Sequence, residues 1–351
     1  MVENQVYPLT FITDRTSIET DWTCGQKRWW MLHEGGRGIV PVNTPAPLRD
    51  GIAIHASLAA LLENNELILP PPPTDGDQEE MEAWAREVGW LVAFHTYAWP
   101  KWFAPFYDVV AIEQEQVLDR PGIWIAFTAD IVLRNKTTGK LLVVDFKSVG
   151  NLSREWVESW GFAPQMHLNG IGVEEELKQP VSAVQVIGLQ KGQWRDGKIR
   201  HPYVWAYSDG ERWSTDWKKG WGLRPLWEYG SGGVEGVREW VLLQGEGVGL
   251  SQFPLAVPVV PSRRVVERLV QDRLKREDEV NQFFQDAPNM DPEVRQAEFR
   301  KVFESRFKNC RPSYGPGCDY LSACWNADVN ADPIGSGLFK ERIPHHNVEV
   351  G

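Results

Sequence analysis

Two aspartates and a lysine stand out because each lies inside an otherwise apolar stretch of the chain. Asp130 lies within IAFTADIVL, and Asp145 and Lys147 lie within LLVVDFK. Between these stretches, the six residues NKTTGK at 135–140 have the composition of a turn. The two stretches are therefore predicted to form a β-hairpin.

The register of this hairpin predicts that the two carboxylates are direct neighbours. If Arg134 pairs with Leu141, cross-strand pairing places Asp130 opposite Asp145, with Cβ atoms about 5 Å apart on one face. Strand alternation puts Lys147 on the same face as Asp145. Two ionised aspartates at this separation repel each other, and a hard cation such as Mg²⁺ or Mn²⁺ would relieve that repulsion.

A divalent cation held by these carboxylates could polarise a phosphoryl oxygen and lower the pKa of a bound water. Lys147 could orient that water or stabilise negative charge that develops on the phosphate. The alternative is purely structural, with Lys147 neutralising the two aspartates as a salt bridge. The residues at this position alone leave both interpretations open.

The four cysteines form a second candidate site. Cys24 lies near the start of the chain, and Cys310, Cys318 and Cys324 lie near its end. The spacing lacks the short C-x₂₋₄-C pairs that zinc ribbons use, whereas four thiolates are the ligand set of a 4Fe-4S cluster. Such a cluster would close a very long loop and have a structural role. Zinc in the same ligands, or four unrelated thiols, are the alternatives.

The hydrophobic pattern predicts how these residues are positioned. An N-cap at Thr16 or Ser17 is expected to open the first helix, and His55 is expected on the second. Helices are predicted over residues 17–32, 51–63, 77–98, 153–177 (interrupted near residues 161 and 164), 263–284 and 292–308. Strands are predicted over residues 109–118, 124–134, 141–147 and 183–189. The order helix, three strands, helix, strand is typical of an α/β core with a mixed sheet.

Several of these motifs resemble the PD-(D/E)XK nuclease superfamily. The motifs are GIAIH at 51–55, TAD at 128–130, DFK at 145–147 and Gln165. The branch that they resemble is that of the RecB/AddB-type nucleases, including CRISPR-associated RecB-like exonucleases that carry an iron–sulfur cluster. Two further stretches resemble the same branch, namely TSIETDWTCGQKRWW at 16–30 and CRPSYGPGCDYLSACW at 310–325.

The resemblance implies a restriction-endonuclease-like core, that is, a mixed central sheet flanked by helices. Helical N- and C-terminal parts would be joined by the cluster that the four cysteines bind. It assigns the metal to His55, Asp130, Asp145 and the backbone carbonyl of Phe146. Catalytic roles would fall to both aspartates, to Lys147, which assists hydrolysis, and to Gln165 on the following helix.

Three positions bear on how closely the chain follows that branch. The branch has Q-x-x-x-Y where this chain has Gln165 and Asn169, which puts the role of position 169 in doubt. A glutamate often lies near the site on the preceding strand, and Glu113 and Glu115 are both candidates here. The implied organisation is a helical region (1–108), a nuclease core (109–190), a Trp- and Gly-rich extension (191–261), C-terminal helices with the cluster segment (262–325) and a tail (326–351).

Composition limits the functional classes. The formal charge of −11 argues against a loose, non-specific nucleic-acid coat, although a metal-dependent nuclease can be acidic because its ligands are carboxylates. The 18 tryptophans are expected mainly in cores, with a few stacking on bases. The chain has no apolar run of about 20 residues and no signal-peptide pattern, which predicts a cytoplasmic protein without membrane contact.

The expected function is a metal-dependent DNA nuclease, an exonuclease that acts on DNA ends or single strands in recombination, repair or phage DNA processing. The chain has no P-loop motif, so unwinding would require a separate helicase partner. One alternative is a DNA-binding scaffold subunit that keeps the fold without cutting. The other is a restriction-type endonuclease on the same core.

Overall fold

The chain forms two compact units, each assembled from segments that are distant in sequence. The computed structural model describes residues 11–34, 37–43, 46–64, 66–73, 77–149, 154–190, 203–246, 253, 255–310 and 318–343. The first unit comprises Met1–Thr44, Glu115–Phe127 and Ser262–Gly351, and the second comprises Pro45–Gln114 and Thr128–Pro261. Among the helices described, none is long and apolar enough to cross a membrane.

The N-terminal segment contains short elements where one long helix was predicted. They are β1 (Phe11–Asp14), α1 (Arg15–Thr23), α2 (Gly25–Arg28), a π-helical turn (Trp29–His33) and β2 (Ile39–Pro41). The predicted N-cap is wrong, because the carboxylate of Asp14 accepts the N–H of Ser17 at 2.5 Å.

The predicted helix over residues 17–32 is also interrupted, at Cys24. This residue is extended, with φ −168° and ψ 121°, and the N–H of Gly25 donates to the carbonyl oxygen of Glu304 at 2.9 Å. A Cβ on Gly25 would lie 2.7 Å from the backbone nitrogen of Glu304. The close approach of another backbone therefore diverts this amide from the helical ladder.

The central part of the chain follows the predicted order, with longer elements than the sequence suggested. They are α3 (Ala46–Asn64), α4 (Gln78–Ala93), a π-helical segment (Phe94–Phe103), β3 (Tyr107–Arg120), β4 (Ile123–Asn135), β5 (Leu141–Val149), α5 (Arg154–Ser159), a 3-10 turn (Trp160–Phe162), α6 (Pro164–Leu177) and β6 (Val181–Gln190). The predicted interruption near residues 161 and 164 is confirmed by the end of the 3-10 turn and the start of α6 at Pro164.

The predicted hairpin is confirmed, and so is its register from Ile131 opposite Val144 to Arg134 opposite Leu141, where β4 and β5 are antiparallel. The predicted pairing of Asp130 with Asp145 lies one residue beyond these pairs and stays a prediction. The side chain of Asn135 accepts two backbone N–H groups of the turn, which is the turn chemistry expected there. β6 runs parallel to β5 on its other side, so the sheet of the second unit is mixed.

Apolar side chains from helices and sheet form the core of the second unit. α3 and α4 contribute Ile54, Leu58 and Trp90, and the hairpin contributes Ile131 and Phe146. The mixed α/β class with a sheet flanked by helices is therefore confirmed.

The close packing of α6 against β6 requires a glycine. A Cβ on Gly170 would lie 2.2 Å from a side-chain carbon of Pro261 and 3.0 Å from one of Val184. This position has no room for a side chain, and the contact fixes α6 on the sheet.

The extension predicted over residues 191–261 is partly β-structured, and residues 191–202 lie outside the described ranges. Three short antiparallel strands are β7 (Trp205–Ser208), β8 (Trp213–Ser214) and β9 (Gly222–Pro225). A helix, α7 (Gly233–Gln244), was not predicted. It buries Trp240, whose ring packs against Trp213 and Tyr229, so these aromatic residues serve the core as expected.

The C-terminal segment contains five helices and a strand within the ranges described. They are α8 (Arg263–Asp286), α9 (Pro292–Val302), α10 (Phe307–Cys310), α11 (Leu321–Trp325), α12 (Ala327–Ala331) and β10 (Phe339–Glu341). The predicted helix over residues 292–308 breaks at Phe303, which is fully buried with φ −112° and ψ 56°.

The segment predicted as a tail from residue 326 contains secondary structure within the described residues up to 343. Asn326 caps α12, and β10 pairs antiparallel with β2. The hydroxyl of Tyr320 donates to the carbonyl oxygen of Ile39 at 2.8 Å, in a small core that also contains Trp30 and Phe339. The two ends of the chain therefore pack together, as the predicted joining of the N- and C-terminal parts requires.

Candidate functional site

Helix α3 positions His55 at the edge of the core. Ile54, Leu58 and Leu61 lie on one face of this helix and are buried, at the spacing of an amphipathic helix. His55 is adjacent to Ile54 and keeps 28% of its side chain exposed. The burial of its neighbours therefore holds the imidazole beside the sheet while leaving it accessible.

His55, Glu113 and Asp130 form the one group of potential metal ligands found among the described residues. One ligand atom from each lies within 4.8 Å of the others. Nδ1 of His55 lies 2.9 Å from Oε1 of Glu113 and 3.6 Å from Oδ1 of Asp130. Ligands on opposite sides of a Mg²⁺ ion are about 4.2 Å apart, because each bond is about 2.1 Å long. The three groups are thus close enough to share one ion.

The backbone at Glu113 adopts a conformation that is unusual for a strand. Its φ is +45°, in the left-handed region, where a non-glycine residue costs on the order of 1–2 kcal/mol. The residue lies within β3, and the conformation turns its carboxylate into contact with His55. Strained residues of this kind concentrate at functional sites.

Electrostatics within this group stabilise a positive charge. Burial lowers the pKa of His55, but the hydrogen bond that its ring donates to Glu113 and the charge of Asp130 outweigh this effect and raise the pKa to about 9. Burial, with the charge of Asp145, raises the pKa of Asp130 to about 7. In the protein as described, the imidazolium N–H therefore supplies the positive charge that these carboxylates require.

Asp145 is held by a second set of contacts. Its Oδ1 accepts a hydrogen bond of 2.5 Å from Nε2 of Gln165, near the start of α6, and its Oδ2 lies 2.7 Å from Nζ of Lys147. The contact with Lys147 is an ion pair without hydrogen-bond alignment, since Oδ2 accepts no hydrogen bond within the described residues. Asp145 is fully buried, whereas Lys147 keeps 26% of its side chain exposed.

The two sets of contacts act on each other. The charge of Asp145 raises the pKa of Asp130, and the charge of Lys147 lowers the pKa of both His55 and Asp130. The backbone N–H of Phe146 donates to Oδ2 of Asp130 at 2.7 Å, which joins the two strands at the site. The contact made by Phe146 is thus through its N–H, and the role implied for its carbonyl stays a prediction.

The structure brings the predicted residues His55, Asp130, Asp145, Lys147 and Gln165 into one contact network in the second unit. Asp145 contacts Lys147 and Gln165 and is not a member of the His55 group, so its role as a metal ligand stays a prediction.

Between the two glutamates that were left open, Glu113 is the one placed at the site. The sequence carried no signal for this choice, because strand alternation puts residues 113 and 115 on the same face. Asn169, which stands where the resembling branch has tyrosine, is buried one turn after Gln165 on α6. Its Nδ2 makes no hydrogen bond within the described part of the chain.

The four cysteines lie in the first unit and are not joined by disulfides. Cys24 is buried and the other three are half-buried. Burial raises the pKa of Cys324 to about 11, and the charges of Cys318, Cys24 and Cys310 act in the same direction. These mutual effects require that the thiols are close to one another, although residue 24 is distant in sequence from the other three.

Neighbouring groups contact the cysteine residues. The N–H of Cys318 donates to the carbonyl oxygen of Cys310 at 2.9 Å, which brings these two residues together. Burial raises the pKa of Cys318, and the charge of Lys27 opposes this effect. The indole N–H of Trp30 donates to Sγ of Cys324 at 3.2 Å. Groups that stabilise a thiolate are therefore present in the site.

Among the described residues, no three cysteine sulfurs lie within 4.8 Å of one another. The metal centre that these thiols would hold stays a prediction.

No family model matches this chain, and no curated protein matches its sequence.

Proposed function

We propose that this protein is a metal-dependent DNA nuclease with a restriction-endonuclease-like core and a structural 4Fe-4S cluster held by its four cysteines. The observation that carries the proposal is the contact network of the second unit. Three carboxylates converge there with one imidazole and one ammonium group, on a hairpin whose register was predictable. The resemblance to RecB/AddB-type nucleases supports the same reaction.

The ligand set suits Mg²⁺ or Mn²⁺. Glu113 and Asp130 offer oxygen ligands and His55 offers a nitrogen ligand. With His55 neutral, the three carboxylates of Glu113, Asp130 and Asp145 and the ammonium group of Lys147 give the network a net charge of −2. When bound, the ion would polarise a phosphoryl oxygen and lower the pKa of a coordinated water.

The surrounding residues position the reacting groups. Gln165 and Lys147 together hold Asp145 in one orientation. Lys147 keeps 26% of its side chain exposed, so its ammonium group can contact the phosphate and stabilise negative charge there. Transfer of the His55 proton to solvent frees Nδ1 for the ion.

Cleavage of labelled DNA in Mg²⁺ or Mn²⁺ tests the proposal. Asp145→Ala and Lys147→Ala should each lower the rate at least about a hundredfold, because each removes a charge aimed at the reaction. Asp108→Asn and Lys140→Ala are matched controls at exposed positions of β3 and of the turn, and they should cleave normally. Retained metal-dependent cleavage in both site variants would refute the assignment.

The form of the substrate separates this proposal from its alternatives. An exonuclease shortens linear or single-stranded DNA from an end and leaves a closed circle intact. Cutting of the circle would favour the restriction-type endonuclease, and DNA binding without cleavage would favour the scaffold subunit. The proposed cytoplasmic setting and a separate helicase partner follow from this assignment.

The cluster is tested independently of cleavage. Protein purified without oxygen should be brown and contain about four irons with matching sulfide per chain, as a 4Fe-4S cluster requires. Cys318→Ser should lose this iron. Zinc in place of iron after anaerobic purification would contradict the cluster.

A further inference from the structure

Trp30 makes a direct contact with one of the four cysteines. Its indole Nε1 lies 3.2 Å from Sγ of Cys324, in the core shared by the N- and C-terminal segments. Indole is a hydrogen-bond donor only, and a buried tryptophan N–H normally has a partner. Here the partner is a sulfur atom, although sulfur is ordinarily a weak acceptor.

The backbone around Trp30 is arranged to make this contact. Trp30 lies in the π-helical turn Trp29–His33, which follows the helix after Cys24. Single π-helical turns are rare and frequently occur at functional sites. The turn points two adjacent indoles at different partners, because Trp29 donates to Oε2 of Glu34 at 2.9 Å.

A thiolate is a much better acceptor than a thiol, because its negative charge strengthens the hydrogen bond. Hydrogen bonds to cysteine sulfurs also influence the reduction potential of an iron–sulfur cluster, together with its charge and solvent exposure. The positive end of an N–H dipole lowers the energy of an added electron, so such a bond raises the potential. The indole of Trp30 is buried in the core, which fixes this dipole in place.

We propose that Trp30 is a positioning residue for the cluster: its indole N–H holds Cys324 as a thiolate ligand and raises the reduction potential of the bound cluster. This inference rests on the proposed iron–sulfur cluster and not on the nuclease activity.

The test compares two tryptophans of the same turn. Trp30→Phe removes the N–H donor to sulfur, and Trp29→Phe removes a donor to a carboxylate. Each variant is purified without oxygen, its iron is counted, and the cluster is titrated with dithionite against redox dyes while visible and electron paramagnetic resonance spectra are recorded. Trp30→Phe should shift the midpoint to lower potential and Trp29→Phe should leave it unchanged. An unchanged potential in Trp30→Phe, or an equal shift in both variants, would overturn the proposal.

An isostere separates the hydrogen bond from packing. Replacing Trp30 with 3-benzothienylalanine keeps the shape of the ring and substitutes sulfur for the N–H group. The isostere should reproduce the shift of Trp30→Phe, or lose iron while its far-UV circular dichroism stays native. A native reduction potential in the isostere variant would show that the N–H group has no role toward the cluster. Failure of this variant to fold would show that the N–H group has a role in folding alone.

The outcomes also separate this proposal from the proposed function. If purified wild-type protein contains no iron, the proposed cluster is ruled out. The cleavage assays of the Asp145 and Lys147 variants would still test the nuclease proposal. Wild-type protein with iron and an unshifted Trp30→Phe would overturn the role of Trp30 alone.

Discussion

Metal binding at the candidate site should release protons in a pH-dependent amount. His55 has a pKa of about 9 and Asp130 a pKa of about 7, and both must be deprotonated to bind a cation. At pH 7 the imidazole is fully protonated and the carboxyl half protonated, so each Mn²⁺ should release about 1.5 protons. At pH 8 the expected number is about 1, supplied almost entirely by His55.

Calorimetric titration with Mn²⁺ in buffers of different ionisation enthalpy measures this number directly. By linkage, the apparent affinity should rise about 15- to 20-fold from pH 7 to pH 8, since the gain integrates the protons released over that range. His55→Gln should reduce the release at pH 8 clearly below the wild-type value, because the imidazole no longer contributes a proton and Asp130 alone remains to titrate. His95→Gln, at a histidine of the same unit outside the ligand group, is the control. Equal release from His55→Gln and the wild type, or none at pH 8, would refute the placement of His55 between carboxylates.

Three substitutions, two of them with a matched comparison variant, test the fold by urea denaturation. Asp14→Ala should lower the free energy of unfolding by about 1–2 kcal/mol, because it removes the buried N-cap of α1. Asp14→Asn should recover most of that loss. Glu277→Gln should cost about 3–5 kcal/mol, because two buried guanidinium groups share its carboxylate; a cost below about 1 kcal/mol would contradict this. Gly170→Ala should cost about 1–3 kcal/mol through overpacking, and Gly161→Ala, with open space around it, should cost less; equal costs would contradict the close packing of α6.

Local chemistry made the central hairpin predictable. The turn residues at 135–140 and the alternation of the flanking strands depend on neighbours within about ten residues, so they can be read without the fold. The register from Arg134 to Ile131 and the pairing of Asp145 with Lys147 followed from them. The start of α6 was also predictable, because Pro164 is a local signal for the first residue of a helix. The start of this helix fixes the position of Gln165 within it.

Long-range contacts explain the predictions that failed. The first helix breaks at Cys24 because the carbonyl of Glu304, 280 residues away, accepts the next amide. The segment predicted as a tail contains β10 because this strand pairs with β2, and no local pattern in either segment specifies that partner.

The amino-acid sequence by itself determined the element order, the hairpin and the residue types available for chemistry, because these depend on propensity and spacing. Only the tertiary structure decided that Glu113 contacts His55 while Glu115 is absent from the ligand group described, since strand alternation does not distinguish the two residues. It also brought Trp30 to Cys324 across 294 residues. Such contacts depend on packing between distant segments, which local sequence does not specify.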